Sequence, residues 1–319
     1  MAFIETAGFH SNDGTAMAMW GCKNPNARFG VGIASKEEKP FDAGRDAALM
    51  AQKSANMRGN DEPSLVLLIG SPGHEEDVLE GIKSVFGRHV QLLGASSADN
   101  SVEGKWFQFC GTQITYDGVV VVAIATPDLV ETVFDCGYAP SAHKGIVTKC
   151  SASRIVEQID GQPAAEVYDQ WTGGAISKVL LSGSGGNILT STTLHPLGRQ
   201  VDDRYELLHP DSVTSTKGLS MFADIKEKQE IVLMAGTKDS LLNNISNVQT
   251  ALQTTASFAE EDILGGLVMY CGGCVLALEE RKTEVAAAFK ACMGDKPFIG
   301  VHPFGEQVQE ALMLHQLFF

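Results

Sequence analysis

The side chains best suited to chemistry stand in two short turns, far apart in the chain. One is Gly94-Ala95-Ser96-Ser97-Ala98-Asp99-Asn100, after the apolar run Val90-Gln91-Leu92-Leu93. Its small residues let a ligand approach the backbone, and two hydroxyls, a carboxylate and an amide can orient it. The other runs from Gly300 to Gln307 and carries His302, Glu306 and Gln307 after the apolar Phe298-Ile299. Asp99 lies five residues past Gly94, and Glu306 six past Gly300. Carboxylates facing one cleft can bind a ligand amine, hold a metal or move protons. Ser96, Ser97, Asp99, Asn100, Glu306 and Gln307 are therefore expected to make polar contacts with a ligand, with Cys271 and His302 lining the wall.

Cys271-Gly272-Gly273-Cys274 is the third candidate. A thiol at a helix N-terminus has a lowered pKa, and a Cys-x-x-Cys pair there can be a redox centre. The helical pattern becomes clear only from about Leu278, which puts both thiols short of the helix. Structural zinc would want a second such pair or a His pair in register, and none is present. Packed thiols or a pocket wall are the plain alternative. Cys271, Cys274 and His302 are the candidates for a reactive group, but the sequence assigns none of them a catalytic role. A hydrolase would need Ser96 or Ser97 beside His302 and Glu306, without support from a Gly-x-Ser-x-Gly elbow. Haem would need one axial ligand, for which His302 or His315 would serve, and no Cys-x-x-Cys-His attachment motif occurs. No cofactor is expected.

The elements that must position these residues form an echo. Val66-Leu67-Leu68-Ile69-Gly70-Ser71-Pro72-Gly73 leads through a helix to the strand before Gly94. Leu267-Val268-Met269-Tyr270-Cys271 leads through another to the strand before His302. Each copy reads as buried strand, turn, helix, buried strand, polar turn, and α/β folds bind ligands at such turns. In the first copy Glu75, Glu76 and Asp77 suit the positive end of a helix dipole, and Val78, Ile82, Val85 and Phe86 recur at helical spacing. The middle of the chain is β-rich. Strands are expected over 106–115, 119–125 and 130–136, with Tyr116-Asp117-Gly118 as the hairpin turn between the first two. Strands 154–159, 219–223, 230–235, 265–270 and 297–301 follow, with helices near 241–252 and 277–291 and a final strand over 311–319. Ser182-Gly183-Ser184-Gly185-Gly186-Asn187 reads as a linker; it lacks the Lys-Ser/Thr ending of a phosphate loop. The fold class is α/β: two related halves, 1–185 and 186–319, with mixed sheets flanked by helices in a pseudo-two-fold arrangement.

Bulk composition narrows the function classes. At 44% hydrophobic and 20% charged, the chain is globular rather than disordered. A net charge of −15 disfavours nucleic acid and anionic membrane surfaces, both of which need Lys and Arg. Seven widely spaced cysteines and no visible secretory signal suggest reduced thiols and a cytoplasmic location. With the chain ending on a strand, no further output module is expected.

Read together, these segments resemble the FIST family, a two-part intracellular sensory domain. The resemblance rests on Gly30-Val31-Gly32, the helix from Asp42, the Gly94–Asp99 turn, Tyr116–Val121 and Asp160-Gly161-Gln162-Pro163-Ala164-Ala165-Glu166-Val167-Tyr168. It continues at His195-Pro196-Leu197-Gly198, Met221–Asp224, Val232–Gly236 and Gly305-Glu306-Gln307. It implies a ligand-sensing role, with small molecules such as amino acids as ligands and haem-based nitric oxide sensing in some members. The chain departs from the family at Cys271-Gly272-Gly273-Cys274, where a single cysteine followed by an arginine is usual. It carries no kinase, receptor or F-box segment, so any signal would pass through a separate protein.

Overall fold

The structure is a computed structural model of the 319-residue chain. It describes residues 2–5, 8–11, 18–37, 39–58, 61–99, 103–202, 204–255 and 260–309. The chain opens with strands β1 (Ala2–Glu5), β2 (Gly8–Ser11) and β3 (Arg28–Ser35), helix α1 (Pro40–Ser54), β4 (Leu65–Gly70), α2 (Glu75–Phe86) and β5 (Leu92–Ser96). Next come β6 (Gln108–Cys110), β7 (Gln113–Thr115), β8 (Gly118–Ala125), β9 (Ala139–Ala152), β10 (Ile155–Ile159) and β11 (Gln162–Pro163). Helices α3 (Ala164–Trp171) and α4 (Ser177–Ser182), β12 (Gly186–Asn187) and α5 (Leu189–Thr192) follow. Strands β13 (Leu197–Val201), β14 (Arg204–Leu208), β15 (Pro210–Val213), β16 (Leu219–Met221) and β17 (Glu230–Ala235) lead to α6 (Lys238–Thr255). The last stretch holds β18 (Gly266–Met269), α7 (Gly272–Ala277), α8 (Lys282–Met293), β19 (Phe298–Val301) and β20 (Phe304–Gln309). Two compact units result. One comprises residues 1–134, 246–272 and 282–319; the other comprises 135–245 and 273–281.

In the first unit a five-stranded sheet runs in the order β20-β5-β4-β8-β3. β4 and β5 are parallel, so a crossover must join them, and α2 supplies it. The helical repeat read from the sequence is the buried one: Val78, Ile82 and Phe86 pack with Val66, Leu68, Leu92 and Val121. Alanines 43, 47, 48 and 51 of α1 join the same core. α1 and α2 approach so closely that only glycine fits at the contact. A Cβ on Gly44 would stand 2.2 Å from the carbonyl oxygen of Val78, and one on Gly81 2.1 Å from that of Phe41.

The sequence echo is a structural one. β18 and β19 are also parallel, and α7 and α8 lie between them in the chain. They belong to a second sheet, β18-β19-β1-β2, in which β1 runs antiparallel to β19. From β19 the chain turns through His302 and Pro303 into β20, which pairs antiparallel with β5. Strands from opposite ends of the sequence therefore complete each other's sheets.

The second unit is built on a nine-stranded sheet ordered β12-β15-β16-β10-β9-β17-β13-β14, with β11 on β10. Its core gathers Val147, Ile159, Tyr168, Leu197, Leu208, Leu219 and Ile231. Residues 182–187 lie inside this unit, where Gly186 and Asn187 pair with Val213 and Ser212.

Several sequence expectations are corrected. The run 106–115 is not one strand: β6 and β7 form a hairpin that turns at Gly111-Thr112, and Tyr116-Asp117 is the bend into β8. Residues 130–136 form no strand. The helix at 277–291 is two helices, and the first starts at Gly272 rather than beyond the thiols. The strand expected at 311–319 lies outside the described residues. Among the described residues, no helix is long and apolar enough to cross a membrane.

Candidate functional site

The carboxyl ends of parallel strands are where α/β sheets leave a crevice for ligands. In the first unit Ser96 ends β5, and its buried hydroxyl donates to Glu75 Oε1 at 2.9 Å. The same Glu75 oxygen accepts the Gly73 amide at 2.8 Å. Gln307, arriving on β20, donates from Nε2 to Ser96 Oγ at 3.2 Å and to the Gly305 carbonyl at 2.5 Å. Its Oε1 is buried and meets no hydrogen-bond partner among the described residues. These groups border a cavity of about 10 Å³, closed further by Leu68, Gly70, Ser71, Val78 and Val119. That is room for one water and too little for a metabolite.

Beside this cavity stands a group that the sequence did not single out. Lys36, directly after β3, is buried and donates from Nζ to the carbonyls of Ser71, Pro72 and Gly73 at 2.9, 3.1 and 2.6 Å. Its ammonium also lies 3.3 Å from Asp117 Oδ1, which in turn accepts the Ser71 hydroxyl at 2.8 Å. A buried ammonium is tolerated when hydrogen bonds and a counter-charge replace its water. Here it fixes the 71–73 turn that leads into α2. A lysine immediately after an apolar strand was the one sequence signal for it.

Ser97 and Asp99 serve their own loop. Ser97 Oγ accepts from Gln108 Nε2 at 2.9 Å. The Asp99 carboxylate accepts the backbone amides of Glu103 at 3.0 Å and Lys105 at 2.7 Å. Asn100 lies outside the described residues. Among the described residues, neither serine has a histidine among its hydrogen-bond partners.

The second copy of the strand ends gathers Cys271, His302 and Glu306. The segments run side by side: the Tyr270 amide donates to the Val301 carbonyl at 3.0 Å, and the Gly272 amide to the Pro303 carbonyl at 2.9 Å. His302 Nδ1 lies 3.0 Å from the Tyr270 carbonyl, and the His302 ring stands edge-on to the Tyr270 ring. A carbonyl only accepts, so Nδ1 carries the proton and Nε2 presents the lone pair. Burial lowers the His302 pKa, the charge of Lys282 adds to this, and the Tyr270 carbonyl opposes it. The imidazole is thus neutral near neutral pH.

Glu306 is aimed by a bulge. Phe304 pairs with Ser96 and Glu306 with Ala95, leaving Gly305 unpaired at a φ of 43°. A left-handed glycine is the usual residue at such a bulge, because it has no Cβ to clash. Successive strand residues face opposite sides of a sheet. Gln307 therefore turns to the Ser96 cavity and Glu306 to Cys271 on the other side. Burial raises the Glu306 carboxyl well above its ordinary range, and the neighbouring Cys271 thiol pushes it the same way. Glu306 Oε1 is buried and has no hydrogen-bond partner among the described residues.

Cys274 belongs to the second unit, where its buried thiol lies 3.7 Å from the Tyr138 hydroxyl. Neither Cys271 nor Cys274 is in a disulfide. Among the described residues no cluster of three or more His, Cys, Asp or Glu could hold a metal. His315 lies outside the described residues.

No curated protein matches the chain significantly. A family model of the FIST N domain matches residues 1–162, and one of the FIST C domain matches residues 164–309. The first match contains Lys36, Glu75 and Ser96; the second contains Cys271, His302, Glu306 and Gln307. With nearly its whole length matched by these two models, the chain belongs to the FIST family of sensory domains.

Proposed function

We propose that this chain senses a small amino-acid-like metabolite and binds its amine at Glu306, with Cys271 and His302 on the wall of the site. A separate signalling protein reads the bound state. One observation carries the reading: a buried carboxyl oxygen with no hydrogen-bond partner among the described residues. Leaving such an acceptor unsatisfied costs roughly 1–3 kcal/mol, and a ligand ammonium would recover it. Ser96 and Gln307 support the site from the opposite face of β20 by fixing that strand against β5.

The test starts with mass spectrometry of the purified chain, to identify a retained amine. Calorimetric titration with a panel of amino acids and primary amines follows. Glu306→Gln keeps the shape and removes the charge, and should weaken binding by roughly 10- to 100-fold, the value of a hydrogen bond to a charged group. No retained molecule together with no binding by any member of the panel would refute the proposal.

Thiol chemistry is the second reading, favoured by the Cys271 thiol lying against the Glu306 carboxyl. On that reading Cys271→Ser abolishes a redox or acyl-transfer activity; on the sensor reading it leaves amine binding within a few-fold. Haem would take Nε2 of His302 as its axial nitrogen, but it also needs a large apolar cavity. The packing of that ring against Tyr270 does not fit such a group.

A further inference from the structure

The hairpin of β6 and β7 is built inside out. Gln108 is 2% exposed, while its neighbours Phe107 and Phe109 are 52% and 61% exposed. Across the hairpin Phe109 pairs with Ile114, 59% exposed, and Tyr116 follows two residues later at 73%. Alternation puts these four side chains on one face. Their rings touch: Phe107 lies 6.3 Å from Phe109 and 6.4 Å from Tyr116 between centroids. A strand that turns a glutamine inward and its aromatics outward is shaped for something other than its own core.

Charge identifies the occupant. The stretch Trp106-Phe107-Gln108-Phe109-Cys110-Gly111-Thr112-Gln113-Ile114-Thr115-Tyr116 contains no Asp, Glu, Lys or Arg, in a chain of net charge −15. Two such chains repel each other, and an uncharged strip is where they can meet. The hairpin also lacks the lysine or proline that usually guards an exposed strand. Large side chains present about 150–250 Å² each, so this face offers roughly 400–600 Å² per copy. Doubled across a two-fold contact, that reaches about 1,000 Å², the lower bound of a specific interface.

We propose that the outward face of this hairpin is a homodimer interface, in which Phe107, Phe109, Ile114 and Tyr116 of two copies pack about a two-fold axis. The inference is independent of the ligand reading.

Sedimentation equilibrium of the full chain tests it. The wild type should be dimeric at about 100 µM, within the affinity range that modest interfaces reach. Phe109→Lys and Ile114→Lys place charge in the centre of the face, and should weaken association at least about tenfold while keeping the circular dichroism spectrum. Leu264→Lys, at an exposed apolar position outside the hairpin, should leave the dimer intact. A monomeric wild type at that concentration overturns the proposal and leaves the face to a different protein. A dimer that survives both hairpin substitutions, or that Leu264→Lys also breaks, overturns it equally.

Discussion

Glu306 sits where water cannot reach one of its oxygens, and that has a measurable cost in the ligand-free protein. Its folded pKa is raised, so the folded state holds a proton that the unfolded chain releases above about 4.5. The stabilisation is complete below that pH and is lost as pH rises towards the folded value, by up to about 1.4 kcal/mol per pH unit. Glu306→Gln does not titrate. Its stability relative to wild type should therefore grow with pH across that window in urea unfolding, and a flat difference would show that the carboxyl is not buried. How far single residues were legible follows from their contacts. Ser96 stands at the end of a strand, as its sequence context suggests, whereas Gln307, read as part of a polar turn, lies inside β20. Lys36 and Glu75 were not legible, because their partners lie 35 to 37 and 21 residues away, and only folding brings them together. Asp99 shows the converse: its carboxylate looks available in the sequence, yet loop amides occupy it.

At the scale of elements, the α1–α2 contact decides between two effects of opposite sign. Alanine in place of a helical glycine ordinarily stabilises by roughly 0.5–1 kcal/mol. At Gly81 the added carbon would meet the Phe41 carbonyl at 2.1 Å, and overpacking of this kind costs about 1–3 kcal/mol. Gly81→Ala should therefore destabilise by about 1–2 kcal/mol, read as a lower urea midpoint; a gain would mean that the helices part freely. The same elements show what hydrophobic pattern reveals. β4, α2 and β5 were legible because apolar runs and a helical repeat alternate cleanly. β9 was not: Ala139–Ala152 is mostly exposed and lacks an apolar run, and it is a strand because β10 and β17 hold it on both sides. The hairpin turn was misplaced because Tyr116-Asp117-Gly118 has turn composition, whereas Gly111-Thr112 makes the bend.

For the whole molecule, the net charge of −15 sets how copies respond to salt. Ions screen repulsion between like-charged surfaces within about 10 Å at 0.1 M, and leave an uncharged apolar contact largely intact. Dimerisation through the hairpin should therefore strengthen between about 0.02 and 0.5 M salt, as read by light scattering. An interface held by ion pairs would weaken over the same range. The α/β class and the two-part family were legible at this scale because they depend on the order of many segments. The division into compact units was harder to read, since β1 and β2 share a sheet with β18 and β19, and β20 joins the sheet of β3, β4, β5 and β8.

That crossing bears on the birth of the protein. β5 pairs along one side with β4, and its other side waits for β20, about 200 residues downstream. At about 5–20 residues per second, a ribosome takes roughly 10–40 s to cover that distance. Throughout that interval the nascent sheet has a bare flank with unsatisfied amides and carbonyls, able to capture any neighbouring strand. Folding of the first unit thus cannot finish before β20 has been made, and one strand edge stays open until its partner arrives.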